Sequence, residues 1–296
     1  MTDLEQPIPA RELLPHREPM LLIDTLTAWQ PGLARSSVQI AEANPFVDRR
    51  GRLDRLALIE MLAQTAAAFK GYEARILGAP GNAGFLVGLS DFDLSKEVRV
   101  GDRLRLEVRQ TLALERTVVL AGEIRRGEQL LGGGGLKVWE EPALPGPAPP
   151  RREGLPGPGA HPPARDPERW AEAGPMRRAL LERLERYEWL ADENRLVGDF
   201  FFDDDFLGFH GHFPGYPLLA GILMLALAKT LCEARLGAGV QVTRVDRAKI
   251  SRQVLPGDRV RAEIYLAPAP AVYGVKAKLS RAGEAVASLG FGIELE

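Results

Sequence analysis

The chain has 296 residues, of which 45% are hydrophobic and 26% charged, and its net charge is −2. This composition is typical of a globular protein long enough for two ordinary domains. A net charge near zero gives no reason to expect nucleic acid as a partner, and no apolar run approaches the ~20 residues of a membrane span. The single cysteine, Cys232, excludes an intramolecular disulfide. Because the first residues also lack the features of a signal peptide, we expect a cytoplasmic protein that binds neither nucleic acid nor membrane.

The first 140 residues predict one buried helix among strands. Apolar residues at helical spacing predict a helix over residues 53–72, which Gly71 would close. Alternating patterns predict strands around it, and a run of glycines at 132–135 interrupts the last: residues 34–41, 84–94, 103–112, 117–124 and 130–139. A strand, a long helix and then consecutive antiparallel strands predict an α+β fold.

A segment rich in proline and glycine divides the chain. Between Pro142 and Pro167 it contains ten of the 23 prolines and almost no large apolar residue. Such a segment cannot bury enough surface to offset the cost of ordering it, so the composition predicts a flexible linker. The predicted organisation is therefore an N-terminal domain over residues 1–140, a linker over residues 141–174 and a C-terminal domain over residues 175–296.

The second half repeats the plan of the first. It is predicted to contain a helix at 177–190, with Glu182 and Arg186 one turn apart, a strand at 196–202 and a helix at 222–236. A Gly-Asp pair precedes an alternating strand in each half, at residues 101–102 and again at residues 257–258. Because the pair recurs at the same place in the order of elements, the sequence indicates a duplicated fold.

One loop carries the clearest chemical signal. Gly211-His212-Phe213-Pro214-Gly215 stands directly before the apolar helix of the second half. Glycine and proline restrict such a loop to a defined turn. Histidine titrates near neutrality and can accept a proton. The pattern therefore indicates a catalytic base rather than a histidine that only packs.

Residues 211–221 resemble the signature G-H-F-P-G-x-P-x-x-P-G of the hotdog-fold 3-hydroxyacyl-[acyl-carrier-protein] dehydratases, with Ala220 in place of the last proline. Residues 13–24 are similar to the segment L-P-H-R-x-P-x-L-L-x-D of the same enzymes and of their relatives in aryl polyene pathways. For His16, within that segment, the resemblance implies a structural role. The family's acidic residue falls fourteen positions after the catalytic histidine, where this chain has Ala226.

The first half supplies an acid in a similar context. Glu60 lies in Ile59-Glu60-Met61-Leu62-Ala63-Gln64, which is close to the family's E-A-x-A-Q, but the first half lacks the histidine loop. In this family the active site lies at a dimer interface and takes its histidine and its acid from different hotdog units. The resemblance therefore implies a tandem (double) hotdog fold in which His212 and Glu60 form one composite site. The mirror site, facing Arg49 and Ala226, would be inactive.

The resemblance also implies roles and partners. His212 would remove the α-proton of a 3-hydroxyacyl thioester, and Glu60 would act on the departing hydroxyl. The remaining predicted substrate-binding residues are Gly221, whose N–H would bind the thioester carbonyl, and Gly211, Phe213, Pro214 and Gln64. We expect no metal and no cofactor. The partner would be an acyl carrier protein bearing a 3-hydroxyacyl group, and a homodimer of double hotdogs is compatible with the resemblance.

Two rival hypotheses remain open from the sequence. One is a catalytically inactive pseudo-dehydratase that serves as a scaffold, with Ala220 and Ala226 as signs of decay. The other is a hotdog enoyl-CoA hydratase or thioesterase. A linker of this length would also permit the two halves to pair between chains rather than within one chain.

Overall fold

The computed structural model describes residues 2–142, 170–237, 239–267 and 272–296. The first half contains β1 Thr2–Pro9, β2 Thr25–Gln30, β3 Leu33–Gln39, α1 Leu56–Leu77, β4 Ala83–Asp93, β5 Arg103–Leu114, β6 Thr117–Arg126 and β7 Gln129–Glu141. The second half contains α2 Pro175–Glu182, β8 Leu184–Leu190, β9 Arg195–Phe201, α3 Gly221–Leu236, β10 Val240–Ile250, β11 Arg259–Ala267, β12 Tyr273–Arg281 and β13 Glu284–Leu295. Among the described residues no helix is long and apolar enough to cross a membrane.

The thirteen strands of the described residues form one antiparallel sheet in the order β1-β2-β3-β5-β6-β7-β4-β10-β13-β12-β11-β9-β8. Each half of this sheet packs around its own central helix, α1 or α3, and both helices are apolar and largely buried. The two helices also contact each other. This arrangement confirms the predicted α+β class and the tandem hotdog fold.

The two halves join through their equivalent strands. β4 pairs with β10 in antiparallel register, with Phe92 opposite Val245 and Leu89 opposite Ala248. In the turns that follow these strands, Gly101 has φ +90° and Gly257 has φ +86°. Only glycine adopts this backbone region readily. The repeated Gly-Asp turn that the sequence predicted is therefore present at the same place in both halves.

The end of the first central helix differs from the prediction. α1 does not stop at Gly71 but continues to Leu77, and Gly78 closes it with φ +62°. Gly71 has a different purpose, because a Cβ there would lie 2.0 Å from the carbonyl oxygen of Leu13. The missing side chain lets the N-terminal segment lie directly against the helix.

The predicted helix at residues 177–190 is wrong in its second part. α2 ends at Glu182, and Leu184–Leu190 forms β8, which pairs with β9. Tyr187 and Trp189 lie in this strand and belong to the aromatic residues that favour a sheet. Arg186 consequently pairs with Glu188 on its own strand and not with Glu182.

The glycine run at 132–135 does not interrupt its strand, contrary to the prediction. β7 continues through it because neighbouring strands approach too closely for side chains. A Cβ at Gly133 would lie 2.2 Å from the carbonyl oxygen of Gly122, and one at Gly134 would lie 2.5 Å from the Phe92 ring. The glycines thus permit close packing inside the sheet.

Of the predicted linker over residues 141–174, residues 143–169 lie outside the described part of the chain. Its last residues contact the first half. The backbone N–H of Arg49 donates to the carbonyl of Glu172 at 3.1 Å, and a Cβ at Gly174 would lie 2.2 Å from the carbonyl oxygen of Val47. The domain boundaries stay a prediction.

Candidate active site

His212 lies in a turn between β9 and α3. Gly211 and Gly215 enclose it with φ values of +76° and +82°, which glycine adopts at little cost. The turn buries His212 and places its Nδ1 3.0 Å from the carbonyl oxygen of Leu218. Because a carbonyl oxygen only accepts, Nδ1–H is the donor and Nε2 keeps its lone pair. Nε2 is therefore the atom that can accept a proton.

The surroundings of His212 favour its neutral form. Burial lowers the pKa of the imidazole, and the charge of Glu60 and the hydrogen bond with Leu218 oppose this effect without cancelling it. A neutral histidine close to physiological pH is the state that a general base requires.

Glu60 reaches the same place from the other half. It lies on α1 and is buried. One carboxylate oxygen of Glu60 and one ring nitrogen each of His16 and His212 lie within 4.8 Å of one another. The structure thus brings together the two residues that the sequence placed in separate halves, while their catalytic roles stay a prediction. Histidine and carboxylate are also the residue types that ligate zinc, although the sequence led us to expect no metal.

Gln64 is hydrogen-bonded to Glu60. Its Nε2 donates to Glu60 Oε1 at 3.1 Å and to the carbonyl of Met20 at 2.7 Å, while its Oε1 accepts the backbone N–H of Leu22 at 2.8 Å. Both ends of the amide are therefore engaged by protein groups. Gln64, which the sequence suggested as a substrate-binding residue, is placed to orient Glu60.

His16 also belongs to this site, and the sequence reasoning did not place it there. The backbone N–H of Arg17 donates to the carbonyl of Gly211 at 2.7 Å, which joins the N-terminal segment to the histidine loop. This contact sets the His16 ring 5.2 Å from the His212 ring and its Nε2 3.7 Å from Glu60 Oε1. The signal that could have found it is the same segment whose resemblance suggested only a structural role.

A cavity of about 260 Å³ opens beside these residues. An adjoining cavity of about 380 Å³ shares part of its wall, so the two lie along one face of α1. The residues common to both walls are mostly small or apolar: His16, Ala63, Ala67, Gly84, Leu86 and Phe213. A mostly apolar cavity with a few convergent polar groups is typical of a ligand site.

The other predicted substrate-binding residues divide into two groups. Gly221 and Phe213 line the cavity, and Gly221 is the first residue of α3, where backbone N–H groups lack partners inside the helix. Pro214 is exposed and shapes the turn. Gly211 pairs with Arg17 through its backbone, and a Cβ there would lie 2.1 Å from the Arg17 carbonyl oxygen. Pro214 and Gly211 therefore build the loop that carries His212.

The mirror position around Ala226 has a different content. Arg49, which was predicted to face it, is exposed and is not among the residues that line the cavity there. Instead Lys229 Nζ lies 2.6 Å from Asp54 Oδ2, and Arg177 Nε lies 2.9 Å from Glu233 Oε2. Burial raises the pKa of the Glu233 carboxyl, and the two cations only partly offset this. Paired charges and α2 fill the space that is a cavity on the other side.

Two family models match the chain, one in each half. Residues 8–145 match a model described as ApeP dehydratase (ApeP-like), and residues 188–288 match one described as ApeI dehydratase (ApeI-like). The first match includes Glu60 and the second includes His212. The two parts of the candidate site therefore fall within matches to two different dehydratase models.

Curated relatives carry the name 3-hydroxyacyl-[acyl-carrier-protein] dehydratase FabZ. The protein from Pelotomaculum thermopropionicum is 42% identical over 65 residues, which cover 20% of this chain and 46% of the relative. The protein from Bacillus thuringiensis is 32% identical over 119 residues, which cover 38% of this chain and 76% of the relative. The chain thus spans less than half of the first relative's length and about three quarters of the second's.

A solved structure extends the likeness over nearly the whole chain. The dehydratase domain of RzxB from Pseudomonas fluorescens aligns with a TM-score of 0.55 at 15% identity and covers 94% of this chain and 98% of that domain. At this identity the likeness concerns the fold alone.

Proposed function

We propose that the chain is a hydro-lyase, because it belongs to the family of FabZ-type 3-hydroxyacyl-[acyl-carrier-protein] dehydratases. It is a fusion of two dehydratase-like halves. It removes water from a 3-hydroxyacyl thioester and releases the trans-2-enoyl thioester. The observation that carries this proposal is the juxtaposition of His212 and Glu60, from opposite halves, beside one mostly apolar cavity.

His212 acts as the base. Its Nε2 takes the α-proton of the thioester, and the electrons of the broken C–H bond move toward the carbonyl. The hydrogen bond from Nδ1 to Leu218 fixes the ring and stabilises the imidazolium that forms. The buried, neutral state of the ring supports this role.

Gly221 stabilises the charge that develops on the thioester oxygen. Its N–H lies in the first turn of α3, where the helix dipole favours negative charge. A Cβ at this position would lie 2.8 Å from Ile250 and 3.2 Å from Leu86. Glycine therefore lets the substrate carbonyl approach the backbone at a crowded point of the cavity wall.

Glu60 acts as the acid. In its protonated form it delivers its proton to the 3-hydroxyl group, the C–O bond breaks, and the bonding electrons leave with the water that forms. The electrons left on the α-carbon close the new double bond. Gln64 keeps the carboxyl group in place throughout, because its amide is anchored to the Met20 and Leu22 backbone.

The acyl chain lies along α1, past Ala63 and Ala67 and into the adjoining cavity. The thioester end then points toward the rim formed by residues such as Arg252, which is exposed. The relatives are 3-hydroxyacyl-[acyl-carrier-protein] dehydratases, which supports an acyl carrier protein as the molecule that presents the 3-hydroxyacyl group. An arginine at the rim suits an acidic carrier. We place the reaction in the cytoplasm, in keeping with the single buried thiol of Cys232.

The test is an assay of the full chain with a 3-hydroxyacyl thioester on acyl carrier protein, in which mass spectrometry follows the loss of water. We expect His212→Gln and Glu60→Gln each to lower kcat/KM by about 10³-fold. His210→Gln is the matched control, because His210 is an exposed histidine two residues away. Wild-type turnover in either the His212 or the Glu60 variant would contradict the composite site.

A second arm of the assay separates the rival activities. Coenzyme A thioesters replace the carrier-bound substrate, and free thiol is measured alongside the enoyl product. Preference for the carrier-bound substrate without thioester hydrolysis supports the proposal. Equal turnover on coenzyme A, or release of thiol, favours the hydratase or thioesterase alternative, and no turnover at all favours the scaffold.

A further inference from the structure

The cavity beside His212 has a polar wall on the side away from the acyl chain. Residues 251–253 follow β10 directly and contribute Ser251, Arg252 and Gln253 to this wall. None of the three lines the adjoining cavity, into which the acyl chain is proposed to run. The thiol side of the substrate then lies along residues 251–253.

The thiol of such a substrate has a definite chemistry. Acyl carrier protein and coenzyme A both present the acyl group on pantetheine, a flexible arm that contains two secondary amides. An amide that leaves water for a mostly apolar cavity needs a hydrogen-bond partner there. A polar side chain on the thiol side of the cavity can supply this partner.

The side chain of Gln253 is held by the loop that carries His212. The hydroxyl of Tyr216 donates to Gln253 Oε1 at 2.7 Å. The Tyr216 backbone N–H donates in turn to the carbonyl of Phe213 at 3.0 Å, within the turn that follows His212. The Gln253 amide is therefore fixed relative to the proposed base.

The backbone around Gln253 is also fixed. Arg281 donates through Nη1 to the Gln253 carbonyl at 3.2 Å, and the N–H of Leu219 donates to the Val254 carbonyl at 2.9 Å. These bonds tie the residue to the end of β12 and to the entry of α3. A side chain ordered in advance loses little conformational entropy when it binds a ligand.

One polar group of Gln253 is left free by these contacts. Because the Tyr216 hydroxyl donates to Oε1, the hydrogens of Nε2 are not used. Nε2 donates to no other described residue, and it is not one of the buried atoms that lack a partner, so it is accessible. Since Gln253 lines the cavity, this N–H group is available to a ligand there.

We propose that Gln253 binds an amide carbonyl of the pantetheine arm through Nε2, and that Tyr216 is the residue that positions it. This inference rests on the proposed function, because that function places the acyl chain in the adjoining cavity and the thiol arm opposite. Gln253 makes no contact with the reacting atoms in this assignment, so its contribution is to binding.

The test is the binding of hexanoyl thioesters, which lack the 3-hydroxyl group and cannot be dehydrated, measured by calorimetry on the full chain. The hexanoyl group is carried by pentanethiol without an amide, by N-acetylcysteamine with one amide or by pantetheine with both. We expect Gln253→Leu to raise Kd about fivefold for thioesters that contain the bound amide and to change it less than about twofold for pentanethiol. Gln129→Leu is the matched control, because Gln129 is exposed and lines neither cavity.

The pattern across the thioesters decides the outcome. Equal weakening of all three would mean that Gln253 only packs, and an unchanged Kd for all three would remove it from the site; either result overturns the proposal. The measurement needs no turnover. A chain that binds in the expected pattern but forms no enoyl thioester would therefore contradict the proposed function and leave the assignment of Gln253 standing.

Two further variants test the atom that binds and the residue that holds it. Gln253→Glu keeps an acceptor for Tyr216 but has no N–H, so we expect the same loss as in Gln253→Leu. Tyr216→Phe frees the amide, and we expect a smaller loss, about twofold, confined to the thioesters with an amide. Full binding in the Glu variant would overturn the assignment to Nε2.

The two sources of the arm are compared in the same way. Hexanoyl acyl carrier protein and hexanoyl coenzyme A are titrated into the wild type and the Gln253→Leu variant. The source that binds more tightly to the wild type and loses affinity in the variant is the one that this site serves. Loss of affinity with neither would overturn the proposal.

Discussion

The candidate active site and its mirror position use the same helix face in opposite ways. Both central helices present one such face at the junction of the halves. When α1 and α3 are aligned at the acid position, three pairs of residues are equivalent, the α1 residue being given first: Glu60 and Ala226, Ala63 and Lys229, and Ala67 and Glu233. On α1 the small residues leave a cavity beside the acid. On α3 the acid is missing, and long charged side chains occupy the corresponding space.

The mirror position holds buried ion pairs where the candidate active site has its acid and its cavity. Lys229 of the second half pairs with Asp54 of the first half, and Arg177 on α2 pairs with Glu233. Each pair joins different elements, and the Lys229 pair joins the two halves. Buried ion pairs stabilise little in net terms, but a half that lacks its partner charge is strongly disfavoured. We infer from this difference that the mirror position helps to specify how the halves pair, while the composite site is the one proposed to catalyse.

The strongest test of this contrast is to move the acid from the candidate active site to the mirror position. Glu60→Ala should lower kcat/KM by about 10³-fold, because the hydroxyl would leave without a proton donor. Adding Ala226→Glu to this variant restores the number of carboxylates but places the new one beside the mirror cavity, which His212 does not line. We expect no recovery in the double variant, measured by enoyl thioester formation. Recovery above a few percent would show that the mirror position is catalytically competent.

The second prediction concerns stability. Lys229→Met leaves the Asp54 carboxylate without its lysine partner. We expect the free energy of unfolding to fall by about 3 kcal/mol. This is the lower end of the range for a buried pair, because Asp54 keeps some exposure. Denaturant unfolding measures it, and kcat per folded molecule should be unchanged. The matched control is Lys229→Met with Asp54→Asn, which removes both charges and should regain most of the loss. An equal loss in both variants would assign the effect to packing.

The same pair predicts how acid affects folding. Burial alone would raise the pKa of the Asp54 carboxyl, but the charge and hydrogen bond of Lys229, together with the Leu56 N–H and the charge of Arg177, outweigh burial and hold the pKa below its ordinary value. A carboxylate with a lowered pKa stabilises the fold near neutrality and loses this contribution as the pH falls through the folded-state value. Stability should therefore decline less on acidification in the Lys229→Met, Asp54→Asn variant than in the wild type.

Part of the site could be predicted from the sequence because its signals are local. The glycines and prolines around His212 define a turn by their own backbone preferences. Glu60 is a charged residue in an apolar helix, which needs a reason to be there. Their complementary absence from the other half predicted that they meet, given the resemblance to a family whose active site takes its histidine and its acid from different hotdog units.

The rest depends on contacts that no local pattern contains. His16 enters the site because the Arg17 backbone pairs with Gly211, which lies far along the chain in the other half. A lysine such as Lys229 has the same sequence signal whether it is buried or exposed. The start of β8 was missed for a related reason: pairing with β9 overrides the helical pattern there.

A fourth prediction tests the cavity that distinguishes the candidate active site from the mirror position. Ala67 lies two helical turns from Glu60, about 10 Å along α1, and Ala67→Phe would fill the passage between the two cavities. We expect kcat/KM to fall by about tenfold or more for twelve-carbon substrates and to change little for four-carbon ones. Ala121→Phe on the exposed side of β6 is the control. An equal loss at both chain lengths would place the acyl chain elsewhere.

The smallest expected effect is electrostatic. Burial lowers the pKa of His212, so the decline of kcat/KM in acid should begin below the ordinary histidine value of about 6.5. The negative charge of Glu60 favours the imidazolium and therefore opposes the effect of burial on the His212 pKa. Glu60→Gln should therefore lower the His212 pKa further, which NMR titration of the ring can measure without turnover. Glu73→Gln, farther along α1, should leave it unchanged. An unchanged pKa in the Glu60→Gln variant would mean that the two side chains do not interact across the halves, and the contrast with the mirror position, where Ala226 has no charge to offer, would lose its electrostatic basis.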